Sequence, residues 1–425
     1  MNIVNSIMHV ILRVFTYTVL IIAMYYLLIS FFGLYRKKDS KKFNPEKKFA
    51  IIVAAHNEEA VIGEMVDSLN RLDYPKELYD IYVISDNSND STTMKAKEKG
   101  AIVYERKSKD KRGKGYALEW MFDKIFKMEK KYDAVIIFDA DNLASKNFLN
   151  EMNKKLCEGY KVVQGYLDSK NPVDSWITGS YSIAFWSTDR MIQLAKANIG
   201  LSAQLGGTGL CIDVDVLKKL GWGATCLTED LEFTCKLILN GYKVGWAHDA
   251  IVYDEKPLKL KQSWNQRKRW MQGFADVYSR YFFKLMKRAV LKRSFTAFDC
   301  AIYTIQPIIT VLFGVAGILS FSQLLSQISD FIYKINSIGL YMDFNLLKIC
   351  AAIVAVAQYI YTPLVIFIDK KLSLKILLCY VIFYPIYLLT WAPIALIGII
   401  NKNDKKWSHT AHTRSMDISE LEKVN

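Results

Sequence analysis

Four long stretches of this 425-residue chain contain no charged side chain, and they limit its fold more than any other feature. One lies between Arg13 and Arg36, and the others cover residues 300–329, 349–368 and 376–401. A helix needs about 20 apolar residues to cross the hydrocarbon core of a bilayer. The sequence therefore predicts four membrane segments.

The first stretch predicts an uncleaved N-terminal anchor. It is longer than the apolar core of a signal peptide, lacks a small-residue cleavage site and leads directly into basic residues. A cleaved signal peptide is the alternative. Basic residues follow the first stretch at 36–42 and precede the second at 284–293, and such residues gather on the cytoplasmic side of membranes. We therefore expect a multi-pass plasma-membrane protein whose central part is cytosolic.

The chain carries 56 Lys and Arg against 42 Asp and Glu, for a net charge of +14. This excess indicates topology and attraction to anionic lipid headgroups. Outside the membrane flanks there is no basic stripe interleaved with aromatic residues, so nucleic acid is not an expected partner. The seven cysteines lack a paired metal-binding spacing and are predicted to be packing residues.

Short apolar runs alternate with amphipathic stretches in the predicted cytosolic part. The apolar runs are 49–54, 81–85 and 134–138, and the amphipathic stretches are 58–72 and 91–99. This alternation predicts an α/β fold with βαβ units on a mostly parallel sheet. Ligands of such sheets bind beyond the carboxyl ends of the strands, so polar residues are expected there.

Polar residues do follow the apolar runs. They are His56, Asn57, Glu58 and Glu59 after the first run, Asp86 and Asn87 after the second, and Asp139 and Asp141 after the third. Neither a Gly-x-Gly-x-x-Gly nor a Walker sequence accompanies them, which argues against ordinary dinucleotide and P-loop sites.

Asp139 and Asp141 predict a metal site. Two carboxylates separated by one small residue can point towards the same divalent cation, and Mg²⁺ takes its remaining oxygen ligands from substrate phosphates. A sugar nucleotide would supply such phosphates. A solvated turn is the alternative for this pair, and the segment that begins at Asp86 is also a good turn sequence.

Thr228, Glu229 and Asp230 begin a predicted helix that continues through Leu239, with Thr228 as a candidate cap. One of the two carboxylates is a candidate base, because a hydroxyl is a poor nucleophile until its proton is removed. A plain helix N-terminus, where acidic residues are favoured by the macrodipole, is the alternative.

Gln266, Arg269 and Trp270 are spaced to share one face of a helix. Arg269 can present its guanidinium to a phosphate, and Trp270 can present its ring to a sugar. Trp264 and Trp270 also flank a basic cluster, so an amphipathic helix on the lipid headgroups is a compatible interpretation.

These motifs, in this order and between membrane segments, resemble the family 2 inverting glycosyltransferases, which include the cellulose, chitin, hyaluronan and poly-N-acetylglucosamine synthases. The resemblance runs from Phe49 to Trp270. It implies a GT-A fold, which is a Rossmann-like nucleotide-diphospho-sugar domain, combined with interfacial amphipathic helices and transmembrane helices.

The resemblance implies roles on the donor side. Asp86 would contact uridine, Asp139 would hold the nucleotide, and Asp141 would bind Mg²⁺ or Mn²⁺. Gln266 and Arg269 would contact the diphosphate. His56, Glu58 and Lys114 would complete the nucleotide-sugar site, although the segment around Lys114 also fits a mobile, solvated loop.

On the acceptor side, the resemblance implies that Asp230 is the catalytic base, with Glu229 beside it, and that Trp270 stacks near the acceptor. Gly207 and Thr208 belong to a glycine-rich segment that would let the backbone approach a sugar closely. An ordinary turn is the alternative for that segment.

The C-terminal tail resembles the gating loop of cellulose synthase, with Trp407, Thr410 and His412 in corresponding positions, although His412 stands where Lys or Arg is expected. Three crossings after a cytosolic domain would leave this tail outside, whereas the bases at 402–406 predict that it is inside. Pro385 and Pro393 interrupt the last apolar run, so we expect a broken or re-entrant segment there.

The predicted organisation has five parts: an anchor at 1–35, a glycosyltransferase domain at 49–258, interfacial helices at 259–295, a membrane region at 296–401 and a cytosolic tail at 402–425. The predicted function is a processive enzyme that builds a β-linked polysaccharide from UDP-glucose or UDP-GlcNAc and moves it across the membrane. A non-processive enzyme that glycosylates a membrane lipid, as ceramide glucosyltransferase does, is the alternative. A sugar-binding subunit without catalysis is a third hypothesis. The expected partners are a UDP-sugar, a glycan or lipid acceptor, and membrane lipids.

Overall fold

The computed structural model describes residues 2–37, 41, 43–223, 226–328, 357–404, 412 and 414–422. Its centre is an eight-stranded mixed sheet. The strands are β1 (Phe49–Ala55), β2 (Tyr79–Asp86), β3 (Ile102–Arg106), β4 (Ala134–Asp139), β5 (Leu143–Ala144), β6 (Val162–Ser169), β7 (Leu210–Asp213) and β8 (Val244–Asp254). Their order across the sheet is β3-β2-β1-β4-β7-β6-β8-β5.

Helices cover both faces of the sheet and continue beyond it. Up to the end of the sheet they are α1 (Asn2–Phe31), α2 (Ile62–Asn70), α3 (Thr92–Glu98), α4 (Lys114–Lys127), α5 (Phe148–Cys157), α6 (Trp176–Thr188), α7 (Ala195–Asn198), α8 (Val214–Leu220) and α9 (Glu229–Leu239). After it come α10 (Leu260–Leu291), α11 (Phe295–Thr304), α12 (Gln306–Ile328), α13 (Thr362–Ile368), α14 (Leu374–Ile382), α15 (Tyr384–Leu389), α16 (Trp391–Ile400) and α17 (Ile418–Glu422).

The predicted βαβ units are present at the amino-terminal side of the sheet. β1 pairs in parallel with both β2 and β4, which brings Ala55 beside Ser85 and Ala54 beside Asp139. Successive side chains of β1 enter opposite cores, with Ile51 in one and Ile52 in the other. Burial on both faces explains why the sequence of this strand is a continuous apolar run.

The parallel pairing predicted for the segment from Phe49 to about Asp141 is present in β1 to β4, whereas the sheet as a whole is mixed, although β6 and β8 are also parallel. β7 is antiparallel to both β4 and β6, and β5 is antiparallel to β8. The glycine-rich turn before β7 lies at the carboxyl end of β4, where Gly209 N donates to Ile137 O at 2.9 Å. The chain therefore enters β7 at this edge of the sheet and has to run back across it.

Among the described residues, one helix is long and apolar enough by itself to cross a membrane, namely the part of α1 from Val10 to Phe31. Two bent helix pairs are long enough if each pair is one span, so the described residues contain up to three candidate spans. The first pair joins α11 to α12 at 62°, and the second joins α14 to the helical segment 384–400 at 48°. The predicted third stretch is described only from residue 357 onwards.

The break that the prolines predict in the last apolar run is confirmed. Pro385 lies in the first turn of α15, where its missing N–H group is not needed. In contrast, the segment predicted to hold several interfacial helices consists mainly of the single helix α10, which has 32 residues.

The described part of the tail packs on the sheet domain. Arg414 N donates to Glu255 Oε2 at 3.0 Å, and Arg71 Nη1 donates to Asp417 Oδ1 at 2.7 Å. Ile418 is buried against the strands β5 and β8. These contacts put the tail and the sheet domain on the same side of any membrane that the helices cross.

A buried polar cluster joins the sheet domain to the apolar helices. The Asp299 carboxylate of α11 lies 2.9 Å from Lys196 Nζ of α7 and accepts a hydrogen bond of 2.6 Å from Tyr25 OH of α1. Both charged side chains are at most 1% exposed. Removal of one partner from such a pair leaves an uncompensated buried charge.

Lys196→Met should therefore destabilise the protein by about 3–5 kcal/mol, because Asp299 would lose its cation. Thermal unfolding of the detergent-solubilised protein checks this. The matched control is Lys161→Met, which removes a surface pair with Asp213 and should change stability by no more than about 1 kcal/mol. Similar midpoints for the two variants would contradict the role assigned to the buried cluster.

Candidate active site

The carboxyl ends of β1, β2 and β4 open into a cavity of about 2640 Å³. All of the predicted site residues that the structure describes line it. They are His56, Glu58, Asp86, Lys114, Asp139, Asp141, Gly207, Thr208, Glu229, Asp230, Gln266, Arg269, Trp270 and His412. Trp407 and Thr410, which were predicted for a gating loop, lie outside the described residues.

Asp86 lies at one end of this cavity and is held by a residue that the sequence did not single out. Arg106 Nη1, at the end of β3, donates to Asp86 Oδ1 at 2.5 Å, and Asn87 Nδ2 donates to the same oxygen at 3.0 Å. His56 Nδ1 bonds to the Asp86 carbonyl oxygen at 2.7 Å. Burial raises the pKa of Asp86, and Arg106 opposes this by favouring the carboxylate.

Lys114 is paired, so the solvated-loop interpretation is wrong for it. Its ammonium group at the start of α4 forms an ion pair with Asp139 and donates to Gly207 O at 2.7 Å. Burial lowers the pKa of Lys114, but the charges of Asp139 and Glu229 outweigh burial and leave it above its ordinary value. Lys114 thus joins the end of β4 to the glycine-rich turn.

The glycine-rich turn is fixed to the end of β4. Asp139 N donates to Thr208 Oγ1 at 3.1 Å and to Asn142 Oδ1 at 3.0 Å. Gly207 adopts a φ of 83°, and a Cβ atom there would lie 3.4 Å from Asp230 Oδ2. The turn therefore connects the end of β4 with the side chain of the candidate base Asp230.

Asp141 is buried, which contradicts a solvated turn at this position. Glu255 N donates to Asp141 Oδ2 at 3.2 Å. Burial raises the pKa of Asp141, but the charges of His412 and of the buried Lys170 outweigh burial and lower it below the ordinary value. Lys170 follows β6 and carries no signal in the sequence that would have identified it.

Asp141 and His412 lie close enough together to bind one divalent ion, provided that the imidazole gives up its proton on binding. His412 Nε2 lies 3.8 Å from Asp141 Oδ2, which is too long for a hydrogen bond. Two ligands that each lie about 2.1 Å from one ion are at most about 4.2 Å apart. His412 Nδ1 lies 2.9 Å from Glu58 Oε1, and a carboxylate in this position can orient an imidazole towards a metal ion.

The described residues hold no group of three or more acidic, cysteine or histidine side chains that could bind a metal by themselves. A substrate would therefore supply the other ligands, as the phosphates of nucleotides do for Mg²⁺. Burial lowers the pKa of His412, but Asp141 and Glu58 outweigh burial and raise it to about 10. The site thus attracts positive charge.

Glu229 and Asp230 lie at the N-terminus of α9, where both are partly buried and line the cavity. Burial, and next the Glu229 carboxylate, raise the pKa of Asp230 to about 7. Burial also raises the pKa of Glu229, against the opposing charge of Lys114. A carboxylate with a pKa near neutrality is suited to accept a proton at physiological pH.

Thr228 does not cap α9 through its side chain, contrary to the sequence prediction. It packs instead against α10 at Gly273, where a Cβ atom would overlap the Thr228 hydroxyl. The absence of a side chain at Gly273 lets the two helices approach closely. This contact places the acidic N-terminus of α9 beside the face of α10 that carries Arg269 and Trp270.

The predicted face of α10 is present. Gln266 Oε1 accepts a hydrogen bond of 2.9 Å from Tyr181 OH, and the ring of Trp270 lies edge-on to Tyr181 at 6.1 Å between centroids. The charge of Arg269 lowers the pKa of Glu229, although less than Lys114 does. Gln266, Arg269 and Trp270 therefore all face the region that contains the candidate base.

The same cavity continues from Trp270 into the apolar helices. Its lining there includes Val19 and Tyr26 of α1, Ile309, Phe313 and Gly317 of α12, and Tyr380, Tyr384, Tyr387, Leu388 and Trp391 of α14 to α16. Among the described residues, these helices contribute no charged side chain to the lining. A polar site at the sheet edge and an apolar chamber are thus continuous.

A family model described as "Glycosyltransferase like family 2" matches residues 45–273. The probable glycosyltransferase YdaM of Bacillus subtilis is 28% identical over 57% of this chain and 60% of its own length. Beta-monoglucosyldiacylglycerol synthase of Synechocystis is 28% identical over 56% of this chain and 50% of its own length. Poly-beta-1,6-N-acetyl-D-glucosamine synthase of Staphylococcus aureus is 26% identical over 59% of this chain and 60% of its own length. The chain therefore spans 50–60% of the length of these relatives.

A solved structure is similar over almost the whole chain. The mannosyltransferase PcManGT of Pyrobaculum calidifontis, in complex with GDP-Man and Mn²⁺, has a TM-score of 0.57 and 15% sequence identity. The similarity covers 95% of this chain and 100% of that one. It shows a shared GT-A fold.

Glu58→Gln should weaken Mn²⁺ binding about 10- to 100-fold, because the carboxylate that orients His412 would be lost. Asp141→Asn should weaken it further, since a direct ligand would be removed. Titration of Mn²⁺ by electron paramagnetic resonance, with a nucleoside diphosphate present, measures both. The exposed Glu77→Gln is the matched control, and an affinity of Glu58→Gln equal to that of this control would contradict the proposed geometry.

Proposed function

This chain belongs to the family 2-like glycosyltransferases, and we propose that it transfers a sugar from a UDP-sugar, with Mg²⁺ or Mn²⁺, to a lipid held in the membrane. The continuity of the cavity carries this proposal. It connects the donor edge of the sheet with an apolar chamber among the helices, and Asp230 and Trp270 lie in the part that both share.

The environment of Asp86 supports uracil as the base. Arg106 and Asn87 both donate to Oδ1, and among the described residues none donates to Oδ2. One free carboxylate oxygen matches the single ring N–H group of uracil. Guanine presents a ring N–H and an exocyclic amino group side by side, which would need both oxygens.

The diphosphate would lie between the end of β4 and α10. Asp141 and His412 would hold the ion, which on binding would neutralise charge on the phosphates. Arg269 would present its guanidinium to the same phosphates, and Lys114 supplies a second positive charge beside Asp139. These residues hold the group that departs when the bond to the sugar breaks.

Asp230 would act as the base in a single displacement. The acceptor oxygen forms a bond to the anomeric carbon while the bond from that carbon to the diphosphate oxygen breaks. The acceptor proton moves to a carboxylate oxygen of Asp230. Because attack occurs opposite the leaving group, an α-linked donor gives a β-linked product.

The chamber supports a lipid as the acceptor. Its lining is uncharged, and each buried methylene group contributes about 0.8 kcal/mol to binding. A lipid hydroxyl at the polar end of the chamber would lie near Asp230, and the ring of Trp270 could contact the arriving sugar. The relative named beta-monoglucosyldiacylglycerol synthase agrees with this acceptor class.

A processive polysaccharide synthase is the second candidate, and aromatic rings in the chamber favour it. Tyr384 stacks on Tyr380 at 5.5 Å and on Tyr387 at 6.1 Å, and all three line the cavity. Aromatic faces suit sugar rings as well as lipids. The relative named poly-beta-1,6-N-acetyl-D-glucosamine synthase belongs to this class.

For the topology, we propose that the sheet domain and the tail are both cytosolic and that α14 to α16 form a re-entrant segment of a multi-pass plasma-membrane protein. The contacts of Arg414 and Ile418 with the sheet domain support a common side. The bend between α14 and α15 supports a segment that returns to that side.

The transfer rate should rise with pH through about 7. Only the carboxylate form of Asp230 accepts a proton, and its fraction grows as pH passes the raised pKa of this group. Asp230→Asn should lower transfer by about 10²- to 10⁴-fold and retain donor binding.

Glu229→Gln sharpens the pH test. This change removes a neighbouring charge that raises the pKa of Asp230, so the inflection of the pH–rate profile should move to lower pH. A profile that does not respond to Glu229→Gln, or donor binding lost together with transfer in Asp230→Asn, would count against Asp230 as the base.

The product decides between the two candidates. Purified enzyme in lipid is supplied with Mn²⁺ and radiolabelled UDP-sugars, and products are separated by organic extraction. Label in the extracted lipid fraction is expected. Label in a high-mass fraction that resists extraction would replace the lipid acceptor with a growing polysaccharide.

A further inference from the structure

Arg267 has the largest fully buried side chain among the described residues, although it carries a charge. It forms no ion pair with any described carboxylate. Its Nη1 donates to Thr390 Oγ1 at 2.8 Å, and its Nε makes a longer contact of 3.4 Å with Ser263 O. Its Nη2 has no hydrogen-bond partner in the part of the chain that the structure describes. Burial of an ion without a counter-ion costs several kcal/mol. Stability alone therefore does not explain this arginine.

The neighbours of Arg267 are aromatic rings from three helices. The guanidinium carbon lies 4.3 Å from the ring centroid of Tyr387 in α15, 5.0 Å from that of Trp391 in α16 and 6.0 Å from that of Tyr181 in α6. Such distances permit cation–π attraction, which strengthens when the pair is removed from water. One cation on α10 thus attracts three separate elements.

Thr390 lies at the junction between α15 and α16, where the helical hydrogen-bond pattern is interrupted. Its hydroxyl donates to Tyr387 O at 2.6 Å and accepts from Arg267. The backbone at this junction is therefore fixed from α10 through a side chain. Tyr387 and Trp391, on either side of the junction, line the apolar chamber.

The opposite end of the same contact network reaches the donor site. Tyr181 donates to Gln266 and lies edge-on to Trp270, and both of these residues line the polar part of the cavity. Arg267 thus lies behind the cavity wall that is formed by Gln266 and Trp270 on the polar side and by Tyr387 and Trp391 on the side of the chamber. A shift of this wall would change where an acceptor hydroxyl lies relative to Asp230.

We propose that Arg267 is a positioning residue, which fixes the acceptor chamber at the junction of α15 and α16 relative to the phosphate- and sugar-facing side of α10. The inference rests on the proposed entry of the acceptor through the chamber. It does not depend on whether that acceptor is a lipid or a growing glycan. Arg267 is not among the residues that line the cavity, and it acts through Thr390, Tyr387 and Tyr181.

The test combines kinetics with a double-mutant cycle. Arg267→Met removes the charge and the donors while keeping much of the volume, and Thr390→Val removes only the hydroxyl partner. A displacement of about 1 Å can lower a rate about 100-fold, so kcat/KM for the acceptor should fall about 10- to 100-fold in Arg267→Met. Thr390→Val should cause a smaller fall, and the double variant should be no worse than Arg267→Met alone, since both act through one contact.

Two further measurements separate positioning from folding. The affinity for Mn²⁺ and UDP should stay within about twofold of wild type, and the thermal midpoint should stay equal or rise, because a buried ion with neutral partners has been replaced by an apolar side chain. Arg267→Lys keeps the charge but not the planar group, and it should be as impaired as Arg267→Met. Lys261→Met, an exposed change on α10, is the matched control.

Additive losses in the cycle, normal acceptor kinetics in Arg267→Met, or donor affinity and stability that fall in parallel with activity would each overturn the proposal. If Arg267→Met does not fold, Thr390→Val is measured instead. It should again lower kcat/KM for the acceptor and leave the affinity for Mn²⁺ and UDP unchanged. Kinetics are measured on whichever product wild type makes. An inactive wild type would refute the proposed function, whereas an active wild type with an additive cycle would refute only the role of Arg267.

Discussion

Backbone hydrogen bonds between β1 and its two parallel neighbours bring three acidic segments of the chain to one edge of the sheet. Ala55 lies beside Ser85, and Ala54 lies beside Asp139, so the residues that follow each strand have to meet. Every later part of the site depends on this register. Lys114 connects the edge to the glycine-rich turn, and that turn reaches the Asp230 side chain on α9.

The site is completed by helices whose positions follow from small residues and buried charges. Gly273 lets α9 approach α10, and Gly398 does the same for α16, since a Cβ atom there would overlap Met271. Asp299 and Lys196 fix α11 against the sheet domain. These contacts hold the polar residues at the sheet edge in a defined position relative to the apolar chamber.

The sequence predicted the features that depend on local pattern. The apolar runs became β1, β2 and β4, and the described candidate residues line one cavity, because strand ends and helix faces follow from residue spacing. Local sequence patterns did not predict the long-range contacts. The partnership of Arg106 with Asp86, the burial of Lys170 and the antiparallel course of β7 depend on segments that are distant in the chain. Thr228 was misjudged as a cap because its hydroxyl packs against α10, a contact that no local pattern records.

The position of His412 has a consequence for the biosynthesis of the protein. Its imidazole contacts Glu58, a residue 354 positions earlier in the chain, and all of the apolar helices lie between them or before them. Sheet domains can fold while a ribosome is still at work, since domains generally fold as units from the N-terminus. The nascent chain at that stage lacks the histidine that contacts Glu58. The contact between His412 and Glu58 therefore cannot form until the apolar helices have been synthesised, so this edge of the sheet is completed last.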